Sequence, residues 1–378
     1  MASVLEGKTV TSQPPLLMLS SGARPRYLED IARALALPAG GQIQFRYETE
    51  IVANGVLSHL QQYGLIGHTC YLTYLDNRTP GKIEIVPVRE ARVLEANLRG
   101  SSVIIKMEVA RYIGAKEKTA FDKIVDTLKN GTQDQMVTWK PDHAAHPDNP
   151  FNGYWVNFVN SPLVDNQLVE HDPIRESHLV EFERSVKRLR EHSDFSQPSS
   201  RFFFNVISLR DSSRKVCNLK NGGWQLSPGR QYTITIYHFF PEEGPLTQRQ
   251  THWIGCRASG EALSILGSGV LRADSEYDSK SVDIQTMGTV RDTQNALTIY
   301  RTTNPSDQNA STAELMFNVE VKADWFRNSI QALFIGVFVA LPALVAVYPD
   351  VSSWKSALIL AGGLLAGFAS IFKFSKSV

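Results

Sequence analysis

The apolar positions of the N-terminal third of the chain follow two different periods, which predict a small α+β domain. Leu28, Ile31 and Leu35 recur at helical spacing, so one face of a helix would carry all three side chains. Residues 42–48 (QIQFRYE) instead alternate strictly between polar and apolar side chains, as in a half-buried strand. More strand-like runs follow at hairpin distances. We therefore expect residues 1–114 to form an α+β domain with a small antiparallel sheet or barrel.

The pattern changes in the middle of the chain and then returns to strands. Residues 115–200 combine amphipathic helices with a Pro-rich polar loop, which predicts a helical connecting region. Its last helix, 176–192, is basic on one side, where a solvated face and a contact with lipid headgroups or an anionic ligand are the two interpretations. Residues 201–322 contain short alternating runs such as 231–237 (QYTITIY), and their regular spacing predicts a β-sandwich.

Two long apolar runs end the chain. Residues 329–348 and 356–372 carry no charged side chain, and at 1.5 Å per residue the first would span about 30 Å, the thickness of one hydrocarbon core. The alternative is a buried helical pair in a soluble core. We predict a transmembrane helical hairpin over residues 323–378. The expected fold class is therefore α+β, with a β-rich cytosolic part (a small α+β or barrel-like domain plus a β-sandwich) followed by a C-terminal transmembrane α-hairpin.

Basic residues flank the predicted hairpin and set its expected orientation. Lys322 and Arg327 precede the first span, whereas Lys373 and Lys376 follow the second. Because cytoplasmic segments carry an excess of Lys and Arg, both termini are expected in the cytoplasm. The predicted localisation is the inner (cell) membrane, as a multi-pass protein.

A few residues in the predicted spans would shape the packing of the helices or a path between them. Gly363 and Gly367 form a GxxxG face, which suits close helix packing either within one hairpin or between subunits. Pro342 would kink the first span. The spans lack charged side chains, which excludes a proton relay or an ion carrier, so a pore would be apolar or lined by few polar residues. The candidate pore and packing residues are Gln331, Phe334, Phe338, Pro342, Gly363, Gly367 and Ser370.

Composition narrows the classes of function. The chain has 39 Lys and Arg residues against 38 Asp and Glu, a net charge of +1, which argues against a general nucleic-acid coat protein. Cys70, Cys217 and Cys256 show no CxxC spacing. We therefore expect neither a disulfide framework nor a zinc site, and a reducing compartment fits. The first ten residues lack the basic start and apolar run of a secretory signal.

Catalytic and cofactor motifs are absent from the sequence. It contains no GxSxG, no Walker phosphate loop, no GxGxxG after a predicted strand and no HExxH, so we predict neither an enzymatic activity nor a cofactor. His143 and His146 lie in a Pro-rich loop beside Asp142 and Asp148. No second ligand pair accompanies them, so no metal site is predicted. An enzyme whose site is assembled only in three dimensions is the remaining alternative.

Basic and aromatic residues around the first predicted helix indicate a site for an anionic ligand. Arg side chains, aromatic faces and the free N–H groups of a helix start suit phosphates and bases. The alternative is a helix-entry segment whose arginines face water. The candidate ligand-binding residues are Arg24, Arg26, Tyr27, Arg46, Tyr47 and Lys106.

The domain order of this chain resembles that of the two-helix membrane effectors of bacterial anti-phage defence, in outline the effector of the Hailong system. The shared features are the β-rich soluble part, the spans 329–348 and 356–372, and the absence of an enzyme motif. The resemblance implies that a nucleotide or oligonucleotide signal, made by a co-encoded enzyme, controls an oligomeric ion channel or pore. It also implies a homo-oligomer in a lipid bilayer, and it transfers no functional residue.

Two functions follow as hypotheses. The first is a membrane effector in antiviral defence, whose cytosolic domains sense an anionic nucleotide or oligonucleotide and thereby control a pore formed by the hairpins. The alternative is a membrane-tethered binding or scaffold protein, in which the hairpin is only an anchor and the β-rich domains recognise a protein partner.

Overall fold

The computed structural model describes most of the chain before residue 325. The described residues are 14–22, 25–79, 82–113, 153–159, 176–192, 195, 203–239, 252–273, 275–289, 291–302, 304, 311–324, 330 and 361.

A mixed six-stranded sheet organises the N-terminal unit. Its elements are β1 (Leu16–Ser21), α1 (Pro25–Ala36), β2 (Gln42–Glu48), a 3-10 turn (Thr49–Ile51), α2 (Asn54–Gln62), β3 (Thr69–Thr79), β4 (Lys82–Arg99), β5 (Ser102–Tyr112) and β6 (Val156–Phe158). The strand order is β2-β5-β4-β3-β1-β6. Strand β1 runs parallel to β3 and antiparallel to β6. Strand β6 therefore joins this sheet, although its residues lie inside the predicted connecting region 115–200.

Two further sheets stack face to face in the C-terminal unit. Their strands are β7 (Phe203–Asp211), β8 (Leu219–Lys220), β9 (Gly223–Leu226), β10 (Gln231–Phe239), β11 (His252–Ser259), β12 (Leu263–Leu266), β13 (Val270–Ala273), β14 (Tyr277–Thr286), β15 (Thr293–Thr302) and β16 (Ser311–Val321). One sheet has the order β12-β14-β10-β7 and the other β13-β11-β15-β16-β9-β8. Alternating apolar side chains such as Ile234 and Ile299 fill the space between them, which is the packing of a β-sandwich.

Two helices lie between the N-terminal sheet and the sandwich. Helix α1 and helix α3 (Glu176–Arg190) share one apolar cluster with both units. Leu35 of α1 and Phe182 of α3 belong to it, as do Val88 of β4 and Phe239 of β10. The amphipathic pattern of each helix thus buries one face against both units at once.

The described part of the chain contains no helix long and apolar enough to cross a membrane. Helices α1, α2 and α3 have 12, 9 and 15 residues, whereas a span takes about 20 apolar residues. The fold class is accordingly corrected: the described part of the chain is β-rich and includes no helix that could form the predicted C-terminal transmembrane α-hairpin. The ion channel, the pore and the multi-pass inner-membrane localisation are corrected with it. Of residues 325–378, where both predicted spans lie, only Ile330 and Ala361 are among the described residues.

Candidate anion-binding site

The structure separates the basic and the aromatic members of the site predicted around α1. Tyr27 and Tyr47 are buried, and their rings stack with centroids 6.0 Å apart. The Tyr47 hydroxyl donates a hydrogen bond to the carbonyl of Leu19 at 3.0 Å, and burial is the main reason that the pKa of Tyr47 lies well above its usual value. Neither ring presents a face on which a base could stack.

Arg46 and Lys106 lie on the opposite, outer side of the same sheet. Arg46 is exposed, and its Nε donates to the hydroxyl of Ser102 at 3.1 Å. Lys106 pairs in register with Gln44 of β2 and with Glu95 of β4. Because successive side chains of a strand point to opposite faces, Arg46 and Tyr47 cannot contact one ligand from the same surface.

The other candidates have no described side chain. Arg24 lies outside the described residues, and Arg26 is described only as part of helix α1. The predicted pore and packing residues also lie outside them, namely Gln331, Phe334, Phe338, Pro342, Gly363, Gly367 and Ser370. The same is true of His143 and His146.

A different group of basic side chains converges at one end of the sandwich core. His238 ends the inward-facing series of β10, after Ile234 and Ile236. His252 comes from β11, and Arg301 from the end of β15. The three side chains are 0%, 2% and 2% exposed. We call this group, His238, His252 and Arg301, the polar end of the sandwich.

The polar end brings the permanent positive charge of Arg301 next to two imidazoles. Burial, followed by the charges of Arg301 and His238, lowers the pKa of His252 to about 4. The Nε2 of His238 lies 3.2 Å from the carbonyl oxygen of Ser275, and this contact makes Nε2 the protonated ring nitrogen, since a carbonyl only accepts. On β14, the Nζ of Lys280 pairs with Asp278 at 2.6 Å.

The rim of the polar end borders solvent. Ser275 is exposed, and its Oγ lies 3.5 Å from the Nε2 of His238. Tyr277 is 60% exposed and pairs in register with Phe239, the residue after His238. A ligand bound at this exposed rim would therefore be separated from the buried basic groups by a single layer of side chains.

Sequence reasoning missed the polar end because its members are far apart along the chain. Each one is a single polar residue at the end of an otherwise apolar inward-facing series, as in Leu297, Ile299 and Arg301. That local signal exists in the sequence. Which strand ends meet, however, depends on sheet order and stacking, which alternation does not encode.

The buried histidines predict that acid destabilises the folded chain. Burial lowers the pKa of His68 as well as that of His252, whereas an unfolded histidine ionises near pH 6.5. The unfolded chain therefore binds more protons in acid. The stability that these neutral imidazoles contribute is complete above pH 6.5 and is lost as the pH falls toward 4. For His252 the loss between pH 7 and 4.5 is about 2–3 kcal/mol.

Thermal unfolding between pH 7.5 and 4.5 checks this prediction. The melting temperature of the wild-type chain should fall more steeply with acid than that of His252→Gln, because glutamine does not titrate. His192→Gln, which removes a histidine already paired with Asp76 at 2.7 Å, is the matched control for losing one imidazole. Identical pH slopes for wild type and His252→Gln would contradict the assignment.

Clusters of three or more His, Cys, Asp or Glu side chains that could hold a metal ion do not occur among the described residues. The three cysteines are free thiols, and burial raises the pKa of Cys256 to about 12. A reactive thiolate needs the opposite shift.

Comparisons with known proteins do not assign the chain to a family. No family model and no curated protein matches it. Similar solved structures include WR4, a C. elegans MSP family member, at 13% identity over 26% of this chain and 91% of that chain, with a TM-score of 0.19. The N-terminal domain of PorA has 11% identity over 30% and 96%, with a TM-score of 0.19. The E. coli chaperone DraB has 11% identity over 29% and 56%, with a TM-score of 0.18. The resemblance to the Hailong-type effector stays a prediction.

Proposed function

We propose that this chain is a non-catalytic binding protein that senses an anionic, phosphate-bearing ligand at the polar end of its β-sandwich. The observation that carries the proposal is the convergence of His238, His252 and Arg301, all at most 2% exposed, from three strands of two stacked sheets. A buried guanidinium beside two imidazoles favours an anion or another strong hydrogen-bond acceptor close by. This is the kind of setting in which a phosphate is recognised.

The chemistry of the three groups fits phosphate better than a neutral ligand. A guanidinium offers a planar fork of N–H donors that matches phosphate oxygens, and it keeps its charge at any physiological pH. The two imidazoles add donors that gain a proton when an anion binds. The chain as a whole carries a net charge of only +1, so attraction of an anion would be local to this end and not a property of the whole surface.

Titration calorimetry with inorganic phosphate, pyrophosphate and ATP as probes tests the proposal. The wild-type chain should bind at least one probe saturably, with an affinity that rises as the pH falls below 6, because the pKa of His252 is about 4 in the free chain and a bound anion raises it. We expect Arg301→Gln to weaken binding at least tenfold, since it removes a charged hydrogen bond worth about 1.5–3 kcal/mol.

The control is Arg272→Gln, which removes the same charge from an exposed position on β13 of the same sheet. This variant should bind like wild type. His252→Asn, which keeps a polar side chain, should reduce the dependence of binding on pH. The proposal is overturned if no probe binds at millimolar concentration, or if Arg301→Gln and Arg272→Gln bind equally well while both remain folded by circular dichroism.

A further inference from the structure

We propose that His59 and His68 form a two-histidine site for a divalent transition-metal ion such as Zn²⁺. His59 lies on helix α2, and His68 lies in the turn between α2 and β3. Their ring centroids are 5.1 Å apart. The inference is independent of the anion site, which belongs to the sandwich.

His68 is the better-defined ligand of the two. Its Nδ1 lies 2.9 Å from the carbonyl oxygen of Pro14, and because a carbonyl can only accept, Nδ1 carries the proton and Nε2 carries the lone pair. The side chain is 1% exposed, and Nε2 is buried without a hydrogen-bond partner. A buried acceptor with no partner is costly, and a metal ion satisfies such an atom directly.

The hydrogen bond to Pro14 also matches how proteins prepare histidine ligands. A metal-binding imidazole usually donates its other N–H to a carbonyl or carboxylate, which fixes the tautomer and the ring orientation. Burial lowers the pKa of His68, so the ring is neutral at pH 7, as a metal ligand must be.

The spacing of the two rings suits a shared ion. Two imidazoles on one tetrahedral metal, each with a metal–nitrogen distance of about 2.0–2.1 Å, have centroids roughly 5 Å apart. The observed separation is 5.1 Å with an interplanar angle of 83°. Imidazole nitrogen is a ligand that Zn²⁺, Cu²⁺ and Ni²⁺ favour.

Aromatic rings surround the pair, and one of its two members is partly exposed. The ring of Phe158 packs 5.3 Å from His59 and 5.7 Å from His68, which gives the pair one apolar wall. His59 is only half-buried, and Tyr63, whose ring lies 5.1 Å from it, is 76% exposed. The site therefore opens to solvent at His59, and water would complete the coordination.

Titration calorimetry of the full chain with Zn²⁺ alone, without a polyhistidine tag, tests the inference. We expect saturable binding of one ion per chain, weakened at least tenfold in both His59→Ala and His68→Gln. His192→Gln is the matched control, because it removes a histidine that pairs with Asp76 and does not belong to the His59–His68 pair. It should bind like wild type.

His59→Ala decides the outcome even if His68→Gln fails to fold, since His59 is half-buried and its removal leaves no buried group unpaired. The inference is overturned if wild type shows no saturable binding up to 1 mM Zn²⁺ or if His59→Ala binds as tightly as wild type. Equal loss of binding in a folded His192→Gln would also overturn it, because the ion would then bind elsewhere.

Discussion

Replacement of Arg89 by methionine is expected to destabilise the N-terminal unit by about 3 kcal/mol or more, because it would leave several buried carbonyl groups without donors. Arg89 is fully buried in the middle of β4. Methionine keeps most of the length and apolar volume of the side chain, so the change isolates the lost hydrogen bonds from the loss of packing.

The guanidinium of Arg89 closes the C-terminal end of helix α1. One terminal nitrogen donates to the carbonyls of Ala34 at 3.0 Å and Leu37 at 2.8 Å, and the other donates to Ala110 of β5 at 2.5 Å. The ring of Tyr112 lies beneath it at 4.0 Å. The last carbonyls of a helix have no partner within the helix, and they carry its negative dipole end. A cation with several donors suits this position.

Thermal unfolding measures the effect. We expect Arg89→Met to lower the melting temperature by on the order of 10 °C. Arg92→Met is the control, since Arg92 is exposed on the same strand, and it should stay within about 0.5 kcal/mol of wild type. The melting temperature of Arg89→Lys should lie between those of Arg89→Met and Arg92→Met, because one ammonium group cannot reproduce the planar fork of donors of a guanidinium. Equal melting temperatures for Arg89→Met and Arg92→Met would show that the buried hydrogen bonds contribute nothing net.

Local periodicity predicted individual strands well where one face of the strand is apolar and the other is polar. The strict alternation of residues 42–48 and of 231–237 matches strands Gln42–Glu48 and Gln231–Phe239. Helix α1 likewise follows from the spacing of Leu28, Ile31 and Leu35. In these elements burial of one face decides the conformation, and that information is contained within a few consecutive residues.

Contacts between distant strands could not be predicted in the same way. Arg89 meets the end of α1 across more than 50 residues of sequence, and nothing local distinguishes it from exposed Arg92. Strand β9 pairs in parallel with β16, and this pairing brings Trp224 to 4.6 Å from Phe317. Such pairings depend on the order and register of the whole sheet, so the sequence gives no direct signal for them.

For the predicted anion site, the alternation of side chains along a single strand already carries part of the answer. The alternation that predicts β2 also places Tyr47 in the core and Arg46 in solvent, so the two residues could have been separated from the sequence alone. His238, His252 and Arg301, in contrast, meet only because two sheets stack. The polar end can therefore be recognised only in the three-dimensional structure.

Replacement of Phe182 by alanine is expected to destabilise the contact between the N-terminal sheet and the sandwich by about 3–4 kcal/mol. Phe182 lies on α3 and is fully buried. Its ring centroid is 5.9 Å from that of Tyr112 on β5 and 6.1 Å from that of Tyr237 on β10. One side chain thus bridges the two units, and the alanine variant would lose both aromatic contacts and leave a cavity.

The polar contacts of α3 determine how far the effect of Phe182→Ala spreads. Arg188 donates to the carbonyl of Ile113 at 2.8 Å, and Tyr237 hydrogen-bonds Glu183. Each of these two contacts joins the helix to one unit only. Phe182 and the apolar cluster around it, in contrast, contact both units. We therefore expect the amides of α3 to exchange hydrogen faster in Phe182→Ala, while the inner strands of the sandwich, such as β15, keep their protection.

Hydrogen exchange and thermal unfolding together test the role of Phe182. Val180→Ala is the matched control, because Val180 lies two residues before Phe182 on α3 and is 38% exposed, so its truncation should cost no more than about 0.5 kcal/mol. The bridging role requires that Phe182→Ala lower the melting temperature well below that of Val180→Ala and deprotect α3 selectively. Equal effects of the two substitutions, or deprotection of β15 to the same extent as α3, would mean that the two units are held together mainly by other contacts, such as the bonds from Asn205 of β7 to α1 and to Tyr112.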